Sequence, residues 1–326
     1  LKVLVTGADG MLGSHIVLEL IKRNHVVSVF VLPNQSMLFP ELQLNRIQGN
    51  ILDIEGIKKA AQGHDAIIHA AALTDVWPYR SATIRKVNID GTKNVVEASK
   101  IPEIQRLVVI GSASSCGIGS KENPGTETTS FISNKYGLDY IDSKKAAQDH
   151  VIKEVKENNV PAIIINPTFM FGAYDSKPGA GKMILAIKQG KVLGYPPGGK
   201  NYVAAKDVAV AVVNALTLGN VGECYIVGNL NLTFKEAFEK IASVLEVEPP
   251  KRAIPKWLNL TVGWMSEKLA LITKTTPIIS YRTVRIGCDD HYFSNKKAKK
   301  ELNLPSTDLD SAIKECAEWM EKNGIK

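Results

Sequence analysis

Leu1-Lys2-Val3-Leu4-Val5-Thr6-Gly7-Ala8-Asp9-Gly10-Met11-Leu12-Gly13 opens the chain and decides its fold. Leu1 to Thr6 has the pattern of a short buried strand, and it runs directly into glycines spaced three apart. Leu12, Ile16, Leu20 and Ile21 then recur on one stripe, which predicts a helix over Met11–Asn24. Glycines at such a junction permit a tight turn, a close approach of backbone to an anion, and tight packing of helix on sheet. The helix N-terminus adds free N–H groups and a partial positive charge. Strand, glycine turn and helix in this order point to a dinucleotide pyrophosphate held at Gly7, Gly10, Met11, Leu12 and Gly13. The bland alternative is a sterically tight turn without a ligand.

Outward from this segment, apolar runs alternate with amphipathic stretches. Strands are expected at Val26–Leu32, Arg46–Ile51, Ala66–Ala71, Arg106–Ser112 and Ala162–Asn166, and long helices at Ile84–Lys100 and Tyr136–Asn158. That rhythm predicts an α/β fold with a parallel sheet covered on both faces. It changes after Asn166. Gly and Pro crowd around a helix at Lys182–Gln189, a helix follows at Val208–Leu218 and a strand at Cys224–Val227, and the chain from Thr233 onward reads as mostly helical. Residues 1–166, with a return at about 201–228, are expected to form a dinucleotide-binding domain. Residues 167–200 and 229–326 are expected to form a smaller, mostly helical substrate domain.

Composition removes several classes of function. A chain of 326 residues with 44% hydrophobic side chains can build a core without staples. Cys116, Cys224, Cys288 and Cys316 form no C-x-x-C pair, which argues against a disulfide scaffold or a metal site and suits a reducing cytoplasm. No run of 18 apolar residues exists, so no membrane span is expected, and no signal peptide is expected either. The net charge of +7 is mild, and Lys296, Lys297, Lys299 and Lys300 lack interleaved aromatics, so no nucleic-acid partner is expected. An anionic small ligand accounts for the balance.

Further motifs follow the glycine loop in order: Gly49-Asn50-Ile51-Leu52-Asp53, His69-Ala70-Ala71-Ala72, Val87-Asn88-Ile89-Asp90-Gly91-Thr92, Tyr140-x-x-x-Lys144, and Asn166-Pro167-Thr168-Phe169-Met170-Phe171-Gly172. With the G-x-x-G-x-x-G spacing, this series resembles the extended branch of the short-chain dehydrogenase/reductase superfamily, the epimerase/dehydratase relatives, over nearly the whole chain. Within it, the likeness is to reductases of the dihydroflavonol 4-reductase kind. The resemblance implies a Rossmann-type doubly wound sheet and an NAD(P) cofactor. It places Asn50 and Ile51 at the adenine, Ala70, Ala71 and Ala72 beside the nicotinamide ribose, and Asn88, Pro167 and Thr168 with the cofactor-binding residues. It also implies a homodimer packed through the helices at 84–100 and 136–158.

Tyr140 and Lys144 stand one helical turn apart and so share a face. An ammonium about 4 Å from a phenol, at an effective dielectric near 20, is worth about 4 kcal/mol to the phenolate. That would lower a phenol pKa of about 10 by roughly three pH units. Ser112 ends the fifth expected strand, where ligands meet α/β sheets, and could steady a carbonyl oxygen. The resemblance selects Ser112 over Ser114 and Ser115, and it gives Ser112, Tyr140 and Lys144 the catalytic roles. His69 lies within an apolar strand and is read as packing, not as a base.

Substrate contacts are expected from Trp77 and Tyr79, after the fourth strand, and from Asn166 and Phe169. The apolar segment 255–272 could wall a pocket, rest on a membrane, or pack as a buried helix. Arg282, Arg285 and Lys182 could grip a diphosphate, although surface charge explains each. The second strand ends Phe30-Val31-Leu32-Pro33-Asn34-Gln35-Ser36 with neither a carboxylate nor a base. Asn34 and Ser36 could donate to a 2′-phosphate, so NADP(H) is favoured over NAD(H). Ala113 and Ser114 occupy the places where dehydratases carry carboxyl groups, which disfavours dehydration. The expected function is hydride transfer between nicotinamide and a small-molecule carbonyl or alcohol. A nucleotide-sugar epimerase with tightly bound NAD is the alternative. A non-catalytic dinucleotide-sensing module comes third, and the intact Tyr, Lys and Ser argue against it.

Overall fold

A computed structural model describes residues 1–33, 44–277 and 279–325. Asn34 and Ser36 lie outside the described residues. The main sheet is built from β1 (Lys2–Thr6), β2 (Val26–Val31), β3 (Asn45–Gln48), β4 (Ala66–His69), β5 (Arg106–Ile110), β6 (Ala162–Pro167) and, later in the chain, β9 (Cys224–Val227). Its order is β3-β2-β1-β4-β5-β6-β9, and every pairing is parallel. The chain builds outward from β1 to β3, then returns to the other side of β1 with β4. The carboxyl ends of β1 and β4 therefore flank a topological switch point, where α/β sheets bind ligands.

The sheet is Rossmann-like because its strands are apolar on both faces. Along β1, Val3 and Val5 point to one core layer and Leu4 to the other. The first layer packs against α1 (Met11–Lys22) through Ile16, Val17 and Leu20. The second packs against α2 (Ile54–Ala61) and the helical stretch 82–98 through Ile57, Val95 and Val96. Each fully buried Leu or Ile here stabilises by about 1.5–3 kcal/mol.

Two expected helices differ in detail. The stretch read as one helix from Ile84 is α3 (Ala82–Arg85), a π-helical turn (Lys86–Asp90) and α4 (Gly91–Ala98). The widened turn carries Asn88, whose side chain bonds across to Leu73 and Ser143. The helix expected from Tyr136 begins three residues later, as α5 (Asp139–Asn158). Gly137, at φ +63°, breaks it from the short 3₁₀ turn Ser133–Tyr136.

A second, small sheet was not expected. It contains β7 (Phe169–Phe171), β8 (Gly199–Ala204), β10 (Leu230–Thr233) and β11 (Asp290–His291). Strand β8 pairs antiparallel with β10 and parallel with β7 and β11. Around it lie α6 (Gly181–Lys188), α8 (Phe234–Val244), α9 (Lys256–Thr273), α10 (Tyr281–Gly287) and α12 (Leu309–Lys322). Phe171, Tyr202, Phe238, Ile241, Ile313 and Met320 form the core there. Between β8 and β9, α7 (Ala205–Asn214) packs on α1, and after β11 the helix α11 (Lys296–Glu301) lies beside β9.

Helix α9 corrects one reading of the apolar segment 255–272. It is not a buried packing helix: only Gly263, Glu267 and Ala270 are buried, and most of its large apolar side chains face outward. Among the described residues no helix is long and apolar enough to cross a membrane, and no cluster of His, Cys, Asp and Glu could hold a metal ion.

Candidate active site

The glycine loop closes directly against the end of β4. Gly7 has φ +72°, and a Cβ there would lie 2.5 Å from the Ala71 nitrogen. Ala70 N–H donates to the Thr6 carbonyl (3.1 Å) and Ala71 N–H to Thr6 Oγ1 (3.3 Å). These bonds set Ala70, Ala71 and Ala72, all partly exposed, beside the loop. Helix α1 begins at Gly10 with no side-chain cap and no acidic residue in its first turn. A Cβ at Gly10 would meet only the Gly7 carbonyl oxygen, at 3.5 Å, so the space beyond it is open. An uncapped helix N-terminus beside open space at Gly10 has the chemistry to hold a diphosphate.

Asn50 is exposed, and its Oδ1 accepts from Leu52 N–H (2.9 Å). Ile51 is buried in the core, and its carbonyl accepts from Asn94. Pro167 ends β6. Thr168 is partly exposed, and its hydroxyl donates to Asn201 (2.8 Å).

Tyr140, Ser112 and Lys144 come together at the carboxyl edge of β5. Ser112 follows β5, and its hydroxyl lies 2.8 Å from that of Ser114. Burial pushes the Tyr140 phenol above its ordinary pKa, and a hydrogen bond with Ser112 acts the other way. Lys144 is buried and donates to the Ile110 carbonyl (2.8 Å); burial lowers its pKa to about 8. The expected acidification of Tyr140 by Lys144 is therefore corrected. Burial, not Lys144, dominates the shift of the phenol, and the Lys144 ammonium donates to a backbone carbonyl.

Asn166 and Asn88 brace this group from behind. Asn166 is wholly buried; its Oδ1 accepts from Ser112 N–H (2.9 Å), and its Nδ2 donates to Gln148 (2.9 Å). The structure thus places Asn166 beneath Ser112, with its polar atoms turned into the protein. Asn88 donates to the Leu73 carbonyl and to Ser143 Oγ, and accepts from Leu73 N–H. Ser143 in turn donates to the Tyr140 carbonyl (2.9 Å), so Asn88 holds the first turn of α5. His69 bridges Thr6 (2.8 Å) and Thr92 (3.1 Å). Burial, and secondarily Lys144, lower its pKa to about 3, which keeps it neutral.

The Trp77–Ser81 loop packs against the first turn of α5. The Trp77 and Tyr79 rings lie 5.8 Å apart, and the Arg282 guanidinium sits 3.4 Å over Tyr79. Arg282 also pairs with Glu267, and Arg285 donates to the Lys135 carbonyl (3.0 Å). Asp139 joins the loop to α5: it takes Arg80 (2.8 Å) and Ser81 N–H (2.7 Å). Burial pushes this carboxyl up, but Arg80 and the Ser81 N–H outweigh it, and the pKa lies below the usual 3.8. Its contribution to stability is therefore complete above the ordinary Asp range and is lost as pH falls through the folded value. Asp139→Ala should lower stability by about 1–3 kcal/mol at neutral pH, since Arg80 is half exposed and keeps its water. Urea unfolding should show this difference shrinking toward pH 3; an equal difference at both pH values would contradict it.

Lys200, on β8, escaped the sequence reading. Its ammonium lies 4.3 Å from the Phe169 ring centroid, and burial lowers its pKa to about 8. Among the described residues no carboxylate pairs with it. A lone lysine in a Gly-rich stretch carries no motif that could have flagged it.

A family model for the NAD dependent epimerase/dehydratase family matches residues 3–228. The chain is 24% identical to a putative dihydroflavonol 4-reductase of Synechocystis sp. over 98% of its own length and 94% of that protein's. It is 24% identical to sterol demethylase protein B of Methylococcus capsulatus, with 99% of both chains covered. Among solved structures, gox2253 superposes with a TM-score of 0.87 at 30% identity, covering 99% of both chains. The protein therefore belongs to the NAD dependent epimerase/dehydratase family, the extended short-chain dehydrogenases, and is an NAD(P)-dependent reductase/epimerase-type enzyme.

Proposed function

We propose that the enzyme reduces an apolar ketone with NADP(H), Tyr140 giving the proton. The meeting of Tyr140, Ser112 and Lys144 at the sheet edge served by the glycine loop carries this reading. When bound, the nicotinamide supplies the hydride. Gly7, Gly10, Met11, Leu12 and Gly13 would hold its pyrophosphate, Asn50 and Ile51 the adenine, and Ala70, Ala71, Ala72, Pro167, Thr168, Tyr140 and Lys144 the nicotinamide end.

Tyr140 keeps its proton because burial disfavours the phenolate, which suits donation to a carbonyl oxygen. Ser112, fixed by Asn166, donates to the same oxygen. Asn88 acts as a positioning residue through Ser143. Trp77, Tyr79 and Phe169 supply apolar walls, and their aromatic surface favours a ketone without a diphosphate.

Val31, Leu32 and Pro33 at the end of β2 offer no carboxylate for a ribose 2′-hydroxyl, which supports NADP(H). The reading includes a dinucleotide-binding part (1–166 with 201–228), a substrate part (167–200 with 229–326), and a homodimer packed on 84–100 and 136–158. Native mass spectrometry and fluorescence titration should show NADPH binding about tenfold tighter than NADH, with NADPH consumed by hydrophobic ketones. Equal or tighter NADH binding would overturn the cofactor preference. Co-purified NAD with a nucleotide sugar, and no net NADPH oxidation, would replace the reductase by an epimerase.

A further inference from the structure

Helix α9 has a face that the fold leaves open. Its buried strip is narrow: Gly263 packs on Tyr281 and Val284, and Glu267 takes Tyr281 N–H and Arg282. On the other side Trp257, Val262, Trp264, Met265, Leu269 and Ile272 are exposed, Trp257 by 69% and Ile272 by 80%. At 100° per residue these six side chains span an arc of about 160°. A contiguous apolar surface of this kind marks a contact site.

Charge says what the contact is. Residues 251–288 contain Lys251, Arg252, Lys256, Lys268, Lys274, Arg282 and Arg285 but one acid, Glu267, which is buried against Arg282. Lys251 and Lys256 pair with Glu248 and Asp289, whereas Arg252, Lys268 and Lys274 have no ion pair among the described residues. Lys268 falls within the apolar arc itself. A second copy packed there about a two-fold axis would bring two such basic faces together, with no exposed carboxylate among residues 251–288 to compensate. An anionic bilayer surface has no such conflict. Leu, Met and Ile enter the acyl region, Trp sits at headgroup level, and lysines reach back to lipid phosphates.

We propose that α9 docks the enzyme on an anionic membrane surface, lying in its plane without crossing it. The docking face adjoins the candidate active site, because α10 packs on α9 and carries Arg282 to the Tyr79 ring. The proposal needs only the open face and its charge, and it stands apart from the substrate reading.

The test is sedimentation of the purified full chain with large vesicles of phosphatidylcholine alone or mixed with phosphatidylglycerol, followed by tryptophan emission. The expected result is binding to the mixed vesicles with a blue shift, and weak binding to phosphatidylcholine. Trp257→Ser/Trp264→Ser/Leu269→Ser should bind at least about tenfold more weakly, and Lys268→Gln/Lys274→Gln about fivefold more weakly per cation removed. The thermal transition should not move, since these side chains are exposed. Failure of the unmodified chain to bind mixed vesicles would overturn the proposal, as would equal binding by the apolar variant. A concentration-dependent dimer in light scattering that the apolar substitutions abolish would assign the face to a second copy instead.

Discussion

Tyr140→Phe should lower kcat by about 10²–10⁴-fold while leaving NADPH affinity within about threefold of the unmodified enzyme. The substitution removes one hydroxyl and keeps the ring, so the first turn of α5 and its Ser143 bond remain. What is lost is the proton that burial holds on the phenol beside Ser112. Stability should hold or rise, because a desolvated hydroxyl disappears. Steady-state NADPH oxidation and fluorescence titration on one preparation separate the two effects. Turnover that survives would remove Tyr140 from the chemistry.

Gly13→Ala should cost about 1–3 kcal/mol of stability and most of the dinucleotide affinity. A Cβ at residue 13 would overlap the Gly7 carbonyl oxygen and stand 2.8 Å from the Ala8 Cα. Both obstacles are backbone, so α1 must move away from β1 and from the loop. Gly10→Ala is the matched comparison. Its Cβ meets only the Gly7 oxygen at an ordinary 3.5 Å, so the fold should persist while the added methyl intrudes on the diphosphate. Urea midpoints and NADPH titrations should therefore show both properties falling at residue 13 and affinity alone falling at residue 10. Unchanged affinity in Gly10→Ala would move the pyrophosphate elsewhere.

The main sheet was legible because its strands are apolar on both faces and the glycines sit between strand and helix. Tyr140 and Lys144 share a helix face by their spacing alone, whereas Ser112 was singled out from Ser114 and Ser115 only by the family resemblance. The small sheet was not legible. Its strands run from two to six residues, with Gly and Pro between several of them, and β8 finds partners from residue 169 to residue 291. The Lys144 partner was missed for a related reason: spacing places two side chains on one face but cannot show that a carbonyl on β5 competes for the ammonium. Asp139 and Arg80 are 59 residues apart, and neither carries a motif. The outward face of α9 also exceeds what periodicity says, since an apolar stripe reads alike whether protein or something else covers it.

The Asp139 clamp has a mechanical consequence. Asp139 immediately precedes the catalytic candidate and grips both Arg80 and Ser81, while Tyr79 carbonyl accepts its N–H. The Trp77–Ser81 loop and the turn that bears the Tyr140 phenol are thus tied at adjoining residues, so a ligand that displaced Tyr79 would pull on that turn as well.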